Sequence, residues 1–301
     1  MDNRAQIREF LASRRARITP DQAGLPAYGG NRRVKGLRRE EVALLAGVSI
    51  DYYIRMERGD LAGASEAVLD GVANALQLDE AEREHLIALA RSAGATSTRR
   101  ARPSPTTVRP VIQQVLDAIT EAPAWIRNAR HDILAMNPLA RALYSPVLDS
   151  AVAGATTKRA ANTTRFIYLD PAAQEFFIDY DRIATDAAAM LRLEAGRNPH
   201  DKDLITLVGE LSTQSELFRQ HWASHNVKFH RTGRKRLRHP AVGELDLNFE
   251  AMELPSEPEL RLNIYTADPH TPTADGLKLL ASWAATRAVD SPDTQHAHDV
   301  R

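Results

Sequence analysis

The spacing of apolar residues changes character twice along this chain of 301 residues. Over the first ninety or so, apolar positions recur every three or four residues, the repeat of helices with one buried face. Ile7, Phe10, Leu11 and Ile18 share such a face. A Gly/Pro/basic insert at 19–36 follows, and further helices are predicted at 38–46, at 50–58, from Ser65 and from Asp79. Ser65 suits an N-cap, with Val68, Leu69, Val72, Ala75 and Leu76 inward behind it. Residues 92–110 hold three prolines and no large apolar side chain except Val108, the composition of a linker.

Beyond the linker, helical and strand periods mix. An amphipathic helix is predicted at 111–119, two short strands at 124–128 and 133–136 around a turn at 130–132, and a helix opened by Pro138. Long helices are predicted at 181–195 and 201–224. Residues 243–252 alternate strictly, with Leu245, Leu247, Phe249 and Ala251 on one side, so they predict a half-buried antiparallel strand. A turn at 255–258 leads to a partner strand at 261–266. The pattern predicts an all-α five-helix domain at 1–91, a linker at 92–110, an α+β domain at 111–286 (a small antiparallel sheet backed by helices) and a disordered polar tail at 287–301.

One stretch, REEVALLAGVSIDYYIRM, meets a demanding set of positional requirements. Two helices crossing steeply over a tight turn need a small residue where their backbones approach, and Ala43 stands there. The turn needs a residue that tolerates positive φ, supplied by Gly47. Val42, Ala46, Val48, Tyr53 and Met56 occupy the buried positions, and Ser49 caps the second helix. This is a helix-turn-helix pattern, whose second helix enters the major groove of duplex DNA. Its outward residues are Ile50, Asp51, Tyr52 and Arg55, and together with the cap residue Ser49 they are the DNA contacts expected from this helix. Arg55 suits a bidentate pair with guanine, Ile50 a thymine methyl, and Asp51 either a cytosine amino group or Arg55 one turn away. Arg38 and Arg39 open the preceding helix facing phosphate, and Arg32, Arg33 and Lys35 in the insert suit backbone or minor-groove contact.

Charge supports this reading only when taken locally. The chain carries 39 basic and 39 acidic residues and is neutral overall. Residues 4–39, however, hold ten bases against two acids, a patch of the kind phosphate attracts. The absence of cysteine removes disulfides and thiolate chemistry. No apolar run approaches the length of a spanning helix, and the N-terminus lacks a signal-peptide core, so a soluble cytoplasmic protein is expected without a membrane partner.

GLRREEVALLAGVSIDYYIRMERGD, followed by SEAVLDGVANALQLDEAEREHLIALA, resembles the xenobiotic-response-element type of helix-turn-helix. More narrowly, LPAYGGNRRVKGLRREEVA, EAPAWIRNARHDILAMNPLARALY and RKRLRHPAVGELDLNFEAMEL are similar to the MmyB-like regulators. Ala64 departs from the proline often found in relatives. The resemblance implies a PAS-like C-terminal domain that senses a small apolar ligand of fatty-acid-like character. A carboxylate ligand wants a cation at one end of its pocket. Arg192, His225 and Tyr265 are candidates, with Trp222 as an apolar wall.

Two rival signals are weaker. His221 and His225 stand at the i,i+4 spacing of a zinc pair, but Trp222 occupies the place of the metalloprotease glutamate. The run KFHRTGRKRLR has six bases and no acid, which suits a second DNA surface or, better, a turn and a cationic edge strand. Neither catalytic residues nor a metal or cofactor site is expected. The expected function is a sequence-specific DNA-binding regulator with a ligand-sensing C-terminal domain. The alternative is the same regulator with a C-terminal domain used only for dimerisation or partner binding. A homodimer is expected, because one motif contacts one half-site.

Overall fold

The protein is described by a computed structural model covering residues 3–26, 34–94, 106–157 and 159–289. Five helices come first: α1 (Asn3–Arg17), α2 (Arg39–Ala46), α3 (Ile50–Glu57), α4 (Glu66–Ala75) and α5 (Glu80–Gly94). Next are α6 (Pro110–Ala118), strands β1 (Ala124–Arg127) and β2 (Ile133–Met136), and the short helices α7 (Pro138–Leu143), α8 (Ser145–Leu148), α9 (Thr163–Leu169) and α10 (Ala172–Phe176). Three longer helices, α11 (Tyr180–Arg197), α12 (Lys202–Gln214) and α13 (Glu216–Ala223), precede the strands β3 (Thr232–His239), β4 (Gly243–Leu254) and β5 (Glu257–Thr266), and α14 (Pro272–Val289) closes the series. This is the expected five-helix domain followed by an α+β domain.

Local chemistry accounts for many boundaries. Gly47 ends α2 at φ 67°, in the left-handed region that costs a side-chain-bearing residue about 1–2 kcal/mol. Ser49 and Ser65 accept from the backbone N–H groups of Tyr52 and Val68, at 3.2 and 3.3 Å, and so start α3 and α4. Asn137 caps α7, with Pro138 at its first turn. The single helix predicted at 201–224 is in fact two. Ser215 is extended (φ −126°, ψ 115°), ends α12 and accepts from Phe218 N–H at 3.1 Å to start α13. α5 runs to Gly94 and α14 to Val289, while 95–105 and 290–301 lie outside the described residues.

The chain forms two compact units. One is Met1–Pro103 with Thr185–Phe229; the other is Ser104–Ala184 with His230–Arg301. In the first, Ile7, Phe10, Leu11, Val42, Tyr53, Met56, Leu69, Val72, Leu86 and Leu89 form a common core. In the second, an antiparallel sheet runs β2-β1-β5-β4-β3. Ala124, Ile126 and Leu260, on one face of the sheet, pack with Leu116 of α6. The opposite face presents Trp125, Asn263, Tyr265, Phe249, Leu247 and Lys235, which the pairing register places side by side. The basic run becomes the edge strand β3. Its outward Arg234 and Arg238 pair with Asp246 and Glu244 at 2.8 and 2.9 Å, and Arg236 pairs with Asp179.

Candidate nucleic-acid interface and ligand pocket

The helix-turn-helix presents most of the side chains its sequence promises. Tyr53, Met56 and Glu57 form the inward side of α3, while Ile50, Asp51 and Arg55 are exposed and Tyr52 is half-buried. The Arg55 guanidinium lies over the Tyr52 ring at 4.9 Å and reaches Asp60, in the loop beyond α3, at 3.5 Å. Asp51 therefore stays free of an ion pair among the described residues, and Asp60 is the carboxylate that meets Arg55. Ser49 is committed to its cap and stays solvent-facing.

At the start of α2, Arg38, Arg39 and Lys35 are all exposed, while Arg32 and Arg33 lie outside the described residues. Arg38 is the N-cap residue, and its backbone N–H donates to Glu41 Oε2 at 2.6 Å. Arg39 has a second task. Its guanidinium binds Glu57, and that hydrogen bond raises its pKa further. Glu57 also accepts from Arg15 Nε at 2.7 Å, and Arg15 donates to the Leu37 carbonyl at 2.9 Å. Sequence reasoning missed Glu57. The signal was its place, one residue after Met56 and four after Tyr53, on the buried face of α3.

The four residues proposed from the sequence as ligand contacts separate. Arg192, Trp222 and His225 belong to the helical unit, Tyr265 to the sheet unit. Arg192 is buried, donates to the Trp222 carbonyl and stacks its guanidinium on the Trp222 ring at 4.0 Å. His225 Nε2 faces Glu9 at 3.3 Å, and its carbonyl accepts from buried Arg14 at 2.5 Å. Beside them, His85 packs edge-on against Phe10. Burial, then Arg192 and Arg14, push His85 down to about 3 and His225 down to about 4. His225 thus has its imidazole engaged with a carboxylate, and no cluster of metal-ligating side chains occurs among the described residues.

Tyr265 stands in a different setting. Its hydroxyl is 2.6 Å from that of Tyr144 and accepts from Lys235 Nζ at 3.3 Å. Lys235 is buried, with its ammonium 5.6–5.9 Å from the ring centres of Phe249, Tyr265 and Phe177. No carboxylate lies within ion-pair distance of it among the described residues. Nearby on the same face, Trp125 Nε1 and Asn263 Oδ1 are buried without hydrogen-bond partners. His131 donates or accepts at Thr164 through Nδ1 at 2.7 Å, while its Nε2 has no partner. Burial, then Arg127 and Lys235, hold His131 well below the usual histidine range. Tyr144, Phe166, Phe176 and Phe177 surround this polar line with aromatic surface. Separately, a groove of about 630 Å³ opens between Gln113, Asp117, Arg141, Ser145 and Trp283.

Two outcomes follow from this geometry. Glu57→Gln leaves two guanidinium groups facing a neutral amide. Because Arg39 is half exposed, the loss is smaller than for a fully buried pair, about 2 kcal/mol in chemical unfolding. An unchanged midpoint would show that Glu57 is not needed. The second outcome concerns acid. His85 has a folded-state pKa below its unfolded value of about 6.5, so the unfolded chain binds the proton first. Stability is intact above pH 6.5 and is lost as pH falls toward 3, by roughly 2 kcal/mol from this residue alone by pH 5. Urea titrations at pH 7 and pH 5 that give equal stability would contradict the placement of His85.

No helix among the described residues is long and apolar enough to cross a membrane. A helix-turn-helix domain family matches residues 6–86, over the five-helix region just described. The MmyB-like transcription regulator ligand binding domain matches residues 108–280, more than half of the chain. A comparison with curated proteins gives no match. With a DNA-binding domain followed by a ligand-binding domain, the chain belongs to the MmyB-like transcription regulators.

Proposed function

We propose that this regulator binds duplex DNA sequence-specifically as a homodimer and that its C-terminal domain senses an apolar carboxylate of the fatty-acid class. For DNA, the support is the outward set Ile50, Asp51, Tyr52 and Arg55 beside the exposed cations Lys35, Arg38 and Arg39. Arg55, held between the Tyr52 ring and Asp60, is poised for a bidentate contact, while the α2 cations and Lys35 suit phosphate. One such motif covers one half-site, which is the reason for proposing a dimer.

For the ligand, the observation that carries the reading is Lys235. A buried ammonium costs several kcal/mol unless a partner compensates it, and here its neighbours are aromatic faces and one hydroxyl. A carboxylate head group supplies the missing charge, and the tyrosine hydroxyls and Trp125 Nε1 offer donors for its oxygens. The surrounding phenylalanines suit an alkyl chain. Tyr265 is the one sequence-proposed contact beside this point. Arg192, Trp222 and His225 are engaged with one another and with α1 in the helical unit.

For the DNA half, binding to random-library duplexes at several salt concentrations gives the measurement. Arg55→Ala should relax preference at one base position by about 1–3 kcal/mol, whereas Lys35→Ala should weaken all duplexes alike and lower the salt slope by about one. If the two variants behave identically, Arg55 does not read a base. For the ligand half, palmitate is titrated against the delipidated protein. Lys235→Met keeps the volume, so the fold should persist while palmitate affinity falls about tenfold or more. Equal affinity in the variant removes Lys235 from the site, and no binding to wild type favours a C-terminal domain that serves only assembly.

A further inference from the structure

Thr185–Phe229 falls inside the stretch matched by the ligand-binding family, yet it folds into the same compact unit as the helix-turn-helix. Leu193 and Val227 are buried in one core with Phe10 and Leu89. Gly196 lies so close to His85 that a Cβ there would come within 2.5 Å of the imidazole Nδ1. Polar joints reinforce the packing. Arg197 reaches Glu84 at 2.6 Å, and Arg14 donates to the His225 carbonyl at 2.5 Å.

The consequence lies in the neighbour of Arg14. Arg15, the next residue of α1, donates to Glu57 at the end of the recognition helix and to the carbonyl of Leu37, just ahead of α2. Successive arginines on α1 thus hold different partners. One grips the segment that follows α13, and the other grips the helix-turn-helix. A displacement of Thr185–Phe229 that pulls Arg14 also moves Arg15, and with it the carboxylate that fixes the base of α3 and the Arg39 guanidinium.

We propose that Thr185–Phe229 is a positioning element of the DNA-binding surface, acting through α1 and α5 on the presentation of α3. The segment touches no base; its effect passes through Arg14, Arg15 and Glu57. This rests on the DNA-binding reading above and adds to it a control point supplied by the ligand-binding domain.

A charge-reversal cycle in the full-length protein tests the idea, using Glu84→Arg, Arg197→Glu and the double variant. Both side chains are partly exposed, so each variant is checked by thermal melting and compared below its transition. The readouts are affinity for a duplex that the wild type enriches from a random library, and amide hydrogen exchange in Ile50–Glu57. Positioning requires both single variants to weaken DNA binding, by three- to tenfold, and to speed exchange in α3. The double variant should recover both readouts to within twofold. Gly196→Ala, which wedges the two helices apart without changing charge, should act in the same direction as the singles. Simple electrostatics gives another pattern: Glu84→Arg binds DNA more tightly, Arg197→Glu more weakly, and exchange stays put. That pattern, or no change at all, overturns the proposal. Should the wild type enrich no duplex, the DNA-binding reading falls, and the exchange measurement alone still decides whether the segment positions α3.

Discussion

Glu57 occupies a position that helical periodicity reserves for hydrocarbon, and a carboxylate there persists only because two guanidinium groups reach it. An isolated buried charge would cost several kcal/mol and would unseat the helix that carries it. Arg15 from α1 and Arg39 from α2 meet that cost from different directions, so one acid ties three helices together. The arrangement also fixes the exposed face of α3. With its inner side packed at Tyr53, Met56 and Glu57, the helix turns Ile50, Asp51 and Arg55 toward solvent. Arg39 in turn has a second task besides facing solvent, since its Nε–H is bound to Glu57 while the rest of the guanidinium is exposed.

The sheet unit inverts that logic. There the buried charge is an ammonium, and the compensation is partial. Three aromatic faces near 6 Å and a hydroxyl at 3.3 Å ease the burial of Lys235, each contributing on the order of 1 kcal/mol. The orphaned Trp125 Nε1, Asn263 Oδ1 and His131 Nε2 lie on or beside the same sheet face. Native interiors seldom leave several such groups unmatched together. His131 is held neutral there, since burial first and then its neighbours Arg127 and Lys235 disfavour its protonation.

How much of this was legible in the sequence depended on distance along the chain. The turn at Gly47, the caps at Ser49 and Ser65, and the alternation of β4 are encoded within a few residues of where they act. They were read without the fold. The break at Ser215 was missed because apolar periodicity continues across it, and only a serine N-cap marks the restart. Asp60 lies five residues from Arg55 but outside the helix, so helical spacing favoured Asp51 instead. Glu57, Lys235 and Arg192 were harder still. Whether a charged residue at an inward position is buried and paired depends on partners tens to hundreds of residues away, as Arg14 with His225 illustrates. Burial of Lys235 was disguised by its place in a strongly basic run, where alternation sends its arginine neighbours outward and the lysine in.

The strength of the joint between α1, α5 and Thr185–Phe229 matters as much as its existence. A partly exposed pair such as Arg197–Glu84 is worth about 1 kcal/mol, and a charged hydrogen bond such as Arg14 to the His225 carbonyl about 1.5–3 kcal/mol. Regulatory coupling between two sites is typically about 1–3 kcal/mol. A joint far weaker would transmit nothing, and one far stronger could not be altered by a ligand, whose micromolar binding supplies about 8 kcal/mol in all. Coupling of this kind depends on an element having two settled positions whose balance a ligand can shift.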